Sequence, residues 1–213
     1  MTLPNAYNGV KKIFVAEILQ IIGSVLTLVG LAMLVGGAGA YLETGGDAGA
    51  VGTVATGGIF TLLAPCLAII ALVLNLVGLK QASIDEPDRM GKAFTCAIIA
   101  LILSVVAVVF ALMHWGGASF FNALSDLAEM CAIIFTIMGV SEVTQNIARQ
   151  DVADMVPKIL TISVIAIVAS IIAGIVGNVI GGVASIIALV LMIVAYVVFL
   201  VFLGRAVSAL KKG

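Results

Sequence analysis

Charge is scarce in this chain of 213 residues. Asp, Glu, Lys and Arg make up only 10% of it, and ten cations against eleven acids leave a net charge of −1. Soluble domains are about a quarter charged and about half apolar. Here the apolar share is 63% and the mean hydropathy is +1.32. Such a chain has too little polar surface to enclose its own apolar residues in water, which excludes a soluble globular domain and a disordered one. With no surplus of Lys and Arg it has no means of neutralising phosphate backbones, so nucleic acid is excluded as a partner.

Histidine and cysteine are scarce as well. One histidine, His114, serves the whole chain, so a Ser/His/Asp set has no credible placement. The H-E-x-x-H, Walker A and dinucleotide-binding glycine motifs are all missing. No stretch between apolar runs is long enough for a soluble catalytic domain. The expectation is therefore no catalytic residue, no enzyme activity, no metal and no cofactor. Cys66, Cys96 and Cys131 lie inside apolar runs. Three cysteines without paired spacing are neither a disulfide framework nor a zinc site. They are expected to be free, buried and inert.

Long apolar runs dominate what remains. A hydrocarbon core about 30 Å thick needs about 20 apolar residues in a helix. Six segments qualify, at 13–36, 59–79, 93–115, 119–140, 156–176 and 183–203. They are continuous and do not alternate, which disfavours a β-barrel. The first run follows Lys11 and Lys12, and Ala38-Gly39-Ala40 resembles a signal-cleavage site. Its apolar stretch exceeds the about 7–15 residues of a signal sequence, so a retained span is expected. The fold expected is an all-α integral membrane protein, one polytopic domain of six transmembrane helices embedded in the lipid bilayer.

The connections differ in charge. Those at 80–92 and 141–155 are charged. The stretch at 41–58 is rich in Gly, Ala and Thr and has no cation, Gly116-Gly117 reads as a tight turn, and 177–182 is uncharged. On a six-span plan all ten Lys and Arg fall on one side. Cationic loops stay in the cytoplasm, so both termini are expected there. Short loops and the lack of an N-x-S/T sequon fit a bacterial or archaeal cytoplasmic membrane. Trp115 and Tyr41 would lie near the outer interface.

The helices leaving the cytoplasmic face share a register. Lys12, Lys92 and Lys158 are each followed twelve positions later by a serine, namely Ser24, Ser104 and Ser170. The returning helices close with Val77-Gly78, Met138-Gly139 and Leu203-Gly204. This pattern is that of three helical hairpins in parallel orientation, a kind of repeat common in membrane transport folds. In the fifth span Ala166, Ser170 and Gly174 form one small-residue row, and Ala169, Ala173, Gly177 and Gly181 form another. Small residues let helices approach in lipid, so this is a packing face within the chain or between copies. Pro65 is expected to kink the second span.

The candidate functional residues are acids inside the spans. Asp126 and Glu129 share a face of the fourth span, and Asn122 and Thr136 continue it. Two central carboxylates cost about 5–7 kcal/mol on the insertion scale, while eight strongly apolar residues of that span contribute about 2.4–4.8 kcal/mol. The span therefore depends on its neighbours, and its polar face is expected to point into the bundle or a wet cavity. With every cation at the cytoplasmic face, these acids must be protonated or hold an imported cation. A lower placement, with the span at 127–147, would instead put Asp126 in water and Glu129 near the headgroups. A second polar stripe, Glu17, Gln20, Ser24 and Thr27, runs along the first span, while Asn75 and Asn178 read as interhelical contacts.

An intramembrane acid is a functional site by default. The function expected is a small transporter or channel-like protein. Its cation or proton site would be formed by Asp126, Glu129 and Asn122 with Glu17 and Gln20. At this length a homo-oligomer is expected. The alternative is a non-transporting scaffold or partner-binding protein using the charged loops and the small-residue face of the fifth span.

The charge pattern makes a topological prediction. In a background without native cysteines, G116C is expected to react with an impermeant maleimide from outside intact cells. K80C is expected to react only after permeabilisation; the reverse pattern overturns the orientation.

Overall fold

A computed structural model describes residues 3–45, 47–146, 154–159, 161–162, 165 and 182–212. The chain is all-α, with no strand among the described residues. Its long helices are α1 (Pro4–Thr44), α2 (Ala48–Asp85), α3 (Met90–Leu112), α4 (Ala118–Asn146) and α5 (Gly182–Lys212). Each contains a stretch long and apolar enough to cross a bilayer. These five correspond to the expected spans at 13–36, 59–79, 93–115, 119–140 and 183–203. The expected span at 156–176 is described only by a helical turn at 156–159 and residues 161, 162 and 165. Its packing face, Ala166, Ala169, Ser170, Ala173, Gly174, Gly177 and Gly181, lies outside the described residues, as does Asn178.

The helices outrun the apolar segments. α1 has 41 residues and α2 has 38. At 1.5 Å per residue each is close to 60 Å long, about twice a hydrocarbon core. The glycine-rich loop expected at 41–58 is accordingly shorter, because α1 continues to Thr44 and α2 begins at Ala48. Gly45, at φ 68°, supplies the left-handed residue of the turn between them. Two small residues of this stretch, Ala50 and Gly57, are buried helix-packing positions seven residues apart. Pro65 lies inside α2 without ending it.

The buried residues of α1 include Gly9, Ala16, Gly23, Gly30 and Gly37, each seven positions from the next. Those of α2 include Ala50, Gly57, Ala64, Ala71 and Gly78, again at intervals of seven. α3 buries Ala93, Ala100 and Ala107, and α4 buries Ser125, Ala132 and Gly139. A seven-residue period keeps one helix edge against a partner, as in a coiled coil. Here the edge carries almost no side chain, so backbones meet directly.

The chain divides into two compact units. The first is Val15–Asn75, an antiparallel helical hairpin. Its closest approach is at Gly30 and Gly57: a methyl on Gly57 would lie 2.8 Å from the Gly30 carbonyl oxygen, and one on Gly30 would lie 3.0 Å from the Gly57 carbonyl oxygen.

The second unit, Met1–Phe14 with Leu76–Gly213, is a helical bundle. Its core joins the starts of α1 and α3 to the ends of α2, α4 and α5, through Val10, Ile13, Leu79, Met90, Ile137, Val140, Phe202 and Leu203. Both ends of the chain therefore lie at the same end of this unit. The cations Lys11, Lys12, Lys80, Arg89, Lys92, Arg205 and Lys211 are carried there too.

Acids secure the polar end. Asp85, at the end of α2, accepts the Ala6 N–H at 2.7 Å and the Asn5 side-chain N–H at 3.0 Å, so it caps the first turn of α1. Glu86 is buried and accepts the Arg89 and Met90 N–H groups, the latter at 2.6 Å, at the start of α3. Lys12 donates to Gln81 at 2.7 Å. Arg89 and Glu142 form a 3.9 Å ion pair that is largely exposed, so it adds little.

At the other end, α3 stops at Leu112 and the turn runs over 113–117. The Trp115 N–H donates to the Phe110 carbonyl at 2.9 Å and the His114 N–H to the Ala111 carbonyl at 3.1 Å. This is the Schellman pattern, with His114 at φ 54° in the position glycine usually takes. Phe110 stacks edge-on against Trp115 and packs against Phe121.

The glycine contacts separate two kinds of glycine. A methyl at Gly9 would meet the Ala82 nitrogen and the Gly78 carbonyl oxygen at 2.6 Å, while one at Gly36 meets nothing within 4 Å. Gly9→Ala is expected to destabilise the fold by about 1–3 kcal/mol through overpacking. Gly36→Ala is expected to be neutral or to stabilise by up to about 1 kcal/mol. Thermal unfolding in detergent, followed by circular dichroism, measures both.

Candidate functional site

The acids are sorted by the packing seams. Glu17 belongs to the hairpin of Val15–Asn75, where it is only 7% exposed. The side-chain N–H of Asn75 donates to Glu17 Oε1 at 3.4 Å across that hairpin. Gln20 and Ser24, farther along the same stripe, are exposed. Ser24 donates to the Gln20 carbonyl and Thr27 to the Gly23 carbonyl, both at 2.9 Å. Hydroxyls that bond the carbonyl four residues back satisfy themselves on one helix. The stripe is therefore one buried acid–amide pair followed by self-contained hydroxyls.

The fourth-span stripe is divided differently. Ser125, 5% exposed, faces α3 and donates to the Ala100 carbonyl at 2.8 Å, with Ser104 2.9 Å away. Asp126, Glu129 and Asn122 are exposed on the flank of that contact. They do not face α3; that side of α4 is taken by Ser125, Ala132 and Gly139. Thr136, expected on the acid stripe, is buried nearer the core and donates to the Ala132 carbonyl at 2.7 Å. One face of α4 is thus covered beside Thr136 and open beside Glu129.

The serine contact also sets the level of the acids along α3. Ser104 lies twelve residues after Lys92 and eleven before Trp115. At 1.5 Å per residue that is about 18 Å from Lys92, and about 12 Å from Leu112, where α3 ends just before Trp115. Ser125 shares this level and Asp126 is the next residue. Glu129 is four residues farther, about 6 Å nearer the polar end. Both acids lie far from either end of α3.

The two serines of the expected repeat do different work. Ser24 bonds within its own helix, and Ser104 bonds across to α4. Cys66, Cys96 and Cys131 are free, but none is buried: Cys66 is exposed and the other two are partly so. Sequence reasoning missed Ser125, Ala132 and Gly139 as the residues that orient α4; their seven-residue spacing was the available signal. Among the described residues no cluster of His, Cys, Asp or Glu is suited to hold a metal. The chain matches no protein-family model, no curated protein and no solved structure.

The Glu17–Asn75 pair makes a stability prediction. Asn75→Leu leaves a buried carboxylate without this donor and is expected to cost about 1–3 kcal/mol. Glu17→Gln keeps an acceptor for Asn75 and is expected to cost less than Asn75→Leu. Unfolding in mixed micelles compares the two.

Proposed function

We propose that this chain is a six-span protein of the cytoplasmic membrane that passes a cation or protons along the α4 face carrying Asp126 and Glu129. The observation that carries the reading is their placement. Both acids flank the Ser104–Ser125 contact, Asp126 level with it and Glu129 about 6 Å nearer the Lys92 end, and they are open to the surroundings. Hydrocarbon does not tolerate bare carboxylates, so such a face calls for water or another protein surface. A second copy of the chain is the natural cover, and acids from two copies would then border a shared wet path. Asn122, one turn from Asp126, supplies an amide to the same face. Glu17, bonded to Asn75, and Gln20 on the same stripe of α1 are the further candidates for a proton step.

The sixth crossing is supported by the positions of its neighbours. Ile159 shares the core with Phe202 and Leu203, near the end of α5. Gly182, where α5 begins, is some 30 Å away along that helix at 1.5 Å per residue. The common end of both termini and the crowding of cations there fit a cytoplasmic location for that end.

Flux in proteoliposomes tests the reading, with a pH-sensitive dye inside and alkali cations varied outside. D126N and E129Q are each expected to lower flux at least tenfold without changing detergent-corrected mass. Undiminished flux in both, or none in the unaltered protein, overturns it in favour of a scaffold. A monomeric mass alone removes the shared path between copies.

A further inference from the structure

The expectation of inert cysteines overlooks where α3 and α4 bring two of them. Ser125 contacts Ala100 and Ser104. Six residues on along α4 is Cys131, and six residues back along α3 from those two partners brackets 94–98. The contact of Gly139 with Met90 gives the same alignment from the other direction: eight residues back from Gly139 is Cys131, and eight on from Met90 is residue 98. Cys96 is at the centre of that bracket.

Cys96 is also reachable. It lines an open depression of about 350 Å³ with Pro87, Asp88, Gly91, Lys92, Thr95 and Phe135. Phe135 is one helical turn from Cys131 on the same face of α4. Both thiols therefore lie on the side of the α3–α4 seam that this depression opens. Lys92 precedes Cys96 by one turn, so the depression carries a cation and the carboxylate of Asp88 beside the thiol. A depression leading from the charged end of the bundle to a cysteine, with a second cysteine opposite, is the arrangement of a thiol–disulfide exchange site.

We propose that Cys96 and Cys131 form a reversible disulfide across α3 and α4 by exchange with a low-molecular-weight disulfide that enters this depression. The Cys96 thiolate attacks one sulfur of the small disulfide. A mixed disulfide forms on Cys96, and the first small thiolate leaves. Cys131 gives its proton to that thiolate and attacks the Cys96 sulfur, forming the Cys96–Cys131 bond and expelling the second small thiolate, which takes a proton from water. The protein dithiol is oxidised by two electrons, and one small disulfide becomes two thiols. The product joins the two helices about 9 Å inside the start of α3.

The test uses the full chain in detergent, with glutathione disulfide as the probe. In C66S, which leaves only the two cysteines in question, both thiols are expected to disappear together. Intact mass should fall by two hydrogens, a peptide linking Cys96 to Cys131 should be found, and dithiothreitol should restore both thiols. C131S is expected to stop at a glutathione adduct on Cys96. In the unaltered protein, Cys66 is expected to gain at most a glutathione adduct. Glutathione adducts on both cysteines of C66S without an internal bond overturn the proposal. So do two thiols that stay free in the folded protein yet react after denaturation.

Discussion

Direct backbone contact between helices is the constraint on which the rest of this structure depends. In lipid there is no hydrophobic gain from bringing helices together, so association rests on close packing and on polar contacts. This chain achieves close packing with small residues at every seventh position of α1, α2, α3 and α4. Such an edge is intolerant: at Gly9, Gly30, Gly57 and Gly78 even a methyl group would fall within 3 Å of a neighbouring atom. Larger and charged side chains are consequently displaced. Asp126 and Glu129 move to the flank of the α3–α4 contact, and the hydroxyls of Ser24 and Thr27 turn back onto their own helix.

The polar end of the bundle follows from the same economy of side chains. Where the helices end they expose backbone N–H groups that need partners. Asp85 supplies one for α1 and Glu86 supplies partners for α3, although both stand at or just past the end of α2. One two-residue acidic step thus fixes the starts of two different helices. The apolar core lies close to this end, and nearly all the faces of α4 between Ile137 and Thr144 are buried there.

Much of the fold was legible because lipid leaves few choices. Continuous apolar runs can only be helices when every backbone group must be satisfied internally; four of the six expected spans lie within described helices, and that at 93–115 overruns α3, which ends at Leu112. The stretch at 41–58 was misread because glycine and alanine signal loops in water. Here Gly37, Ala50 and Gly57 continue the packing edge through both helices. The acids were legible as a pattern but not as an orientation. A spacing of three places Asp126 and Glu129 on one face, yet only the partner's approach at Ser125 decides which way that face turns. Glu17 and Asn75 are 58 residues apart, and their meeting depends on the α1–α2 alignment, which no local spacing reveals.

An edge that repeats every seventh residue is also self-similar. Sliding α1 along α2 by one repeat, about 10.5 Å, sets small residues against small residues again. The glycines and alanines hold the pair close but do not choose among such alignments. The bonds from Asn75 to Glu17, from Lys12 to Gln81 and from Ala6 to Asp85 each exist in one alignment only. They act as detents on a vernier, and their value lies less in the strength they add than in the slipped hairpins they forbid.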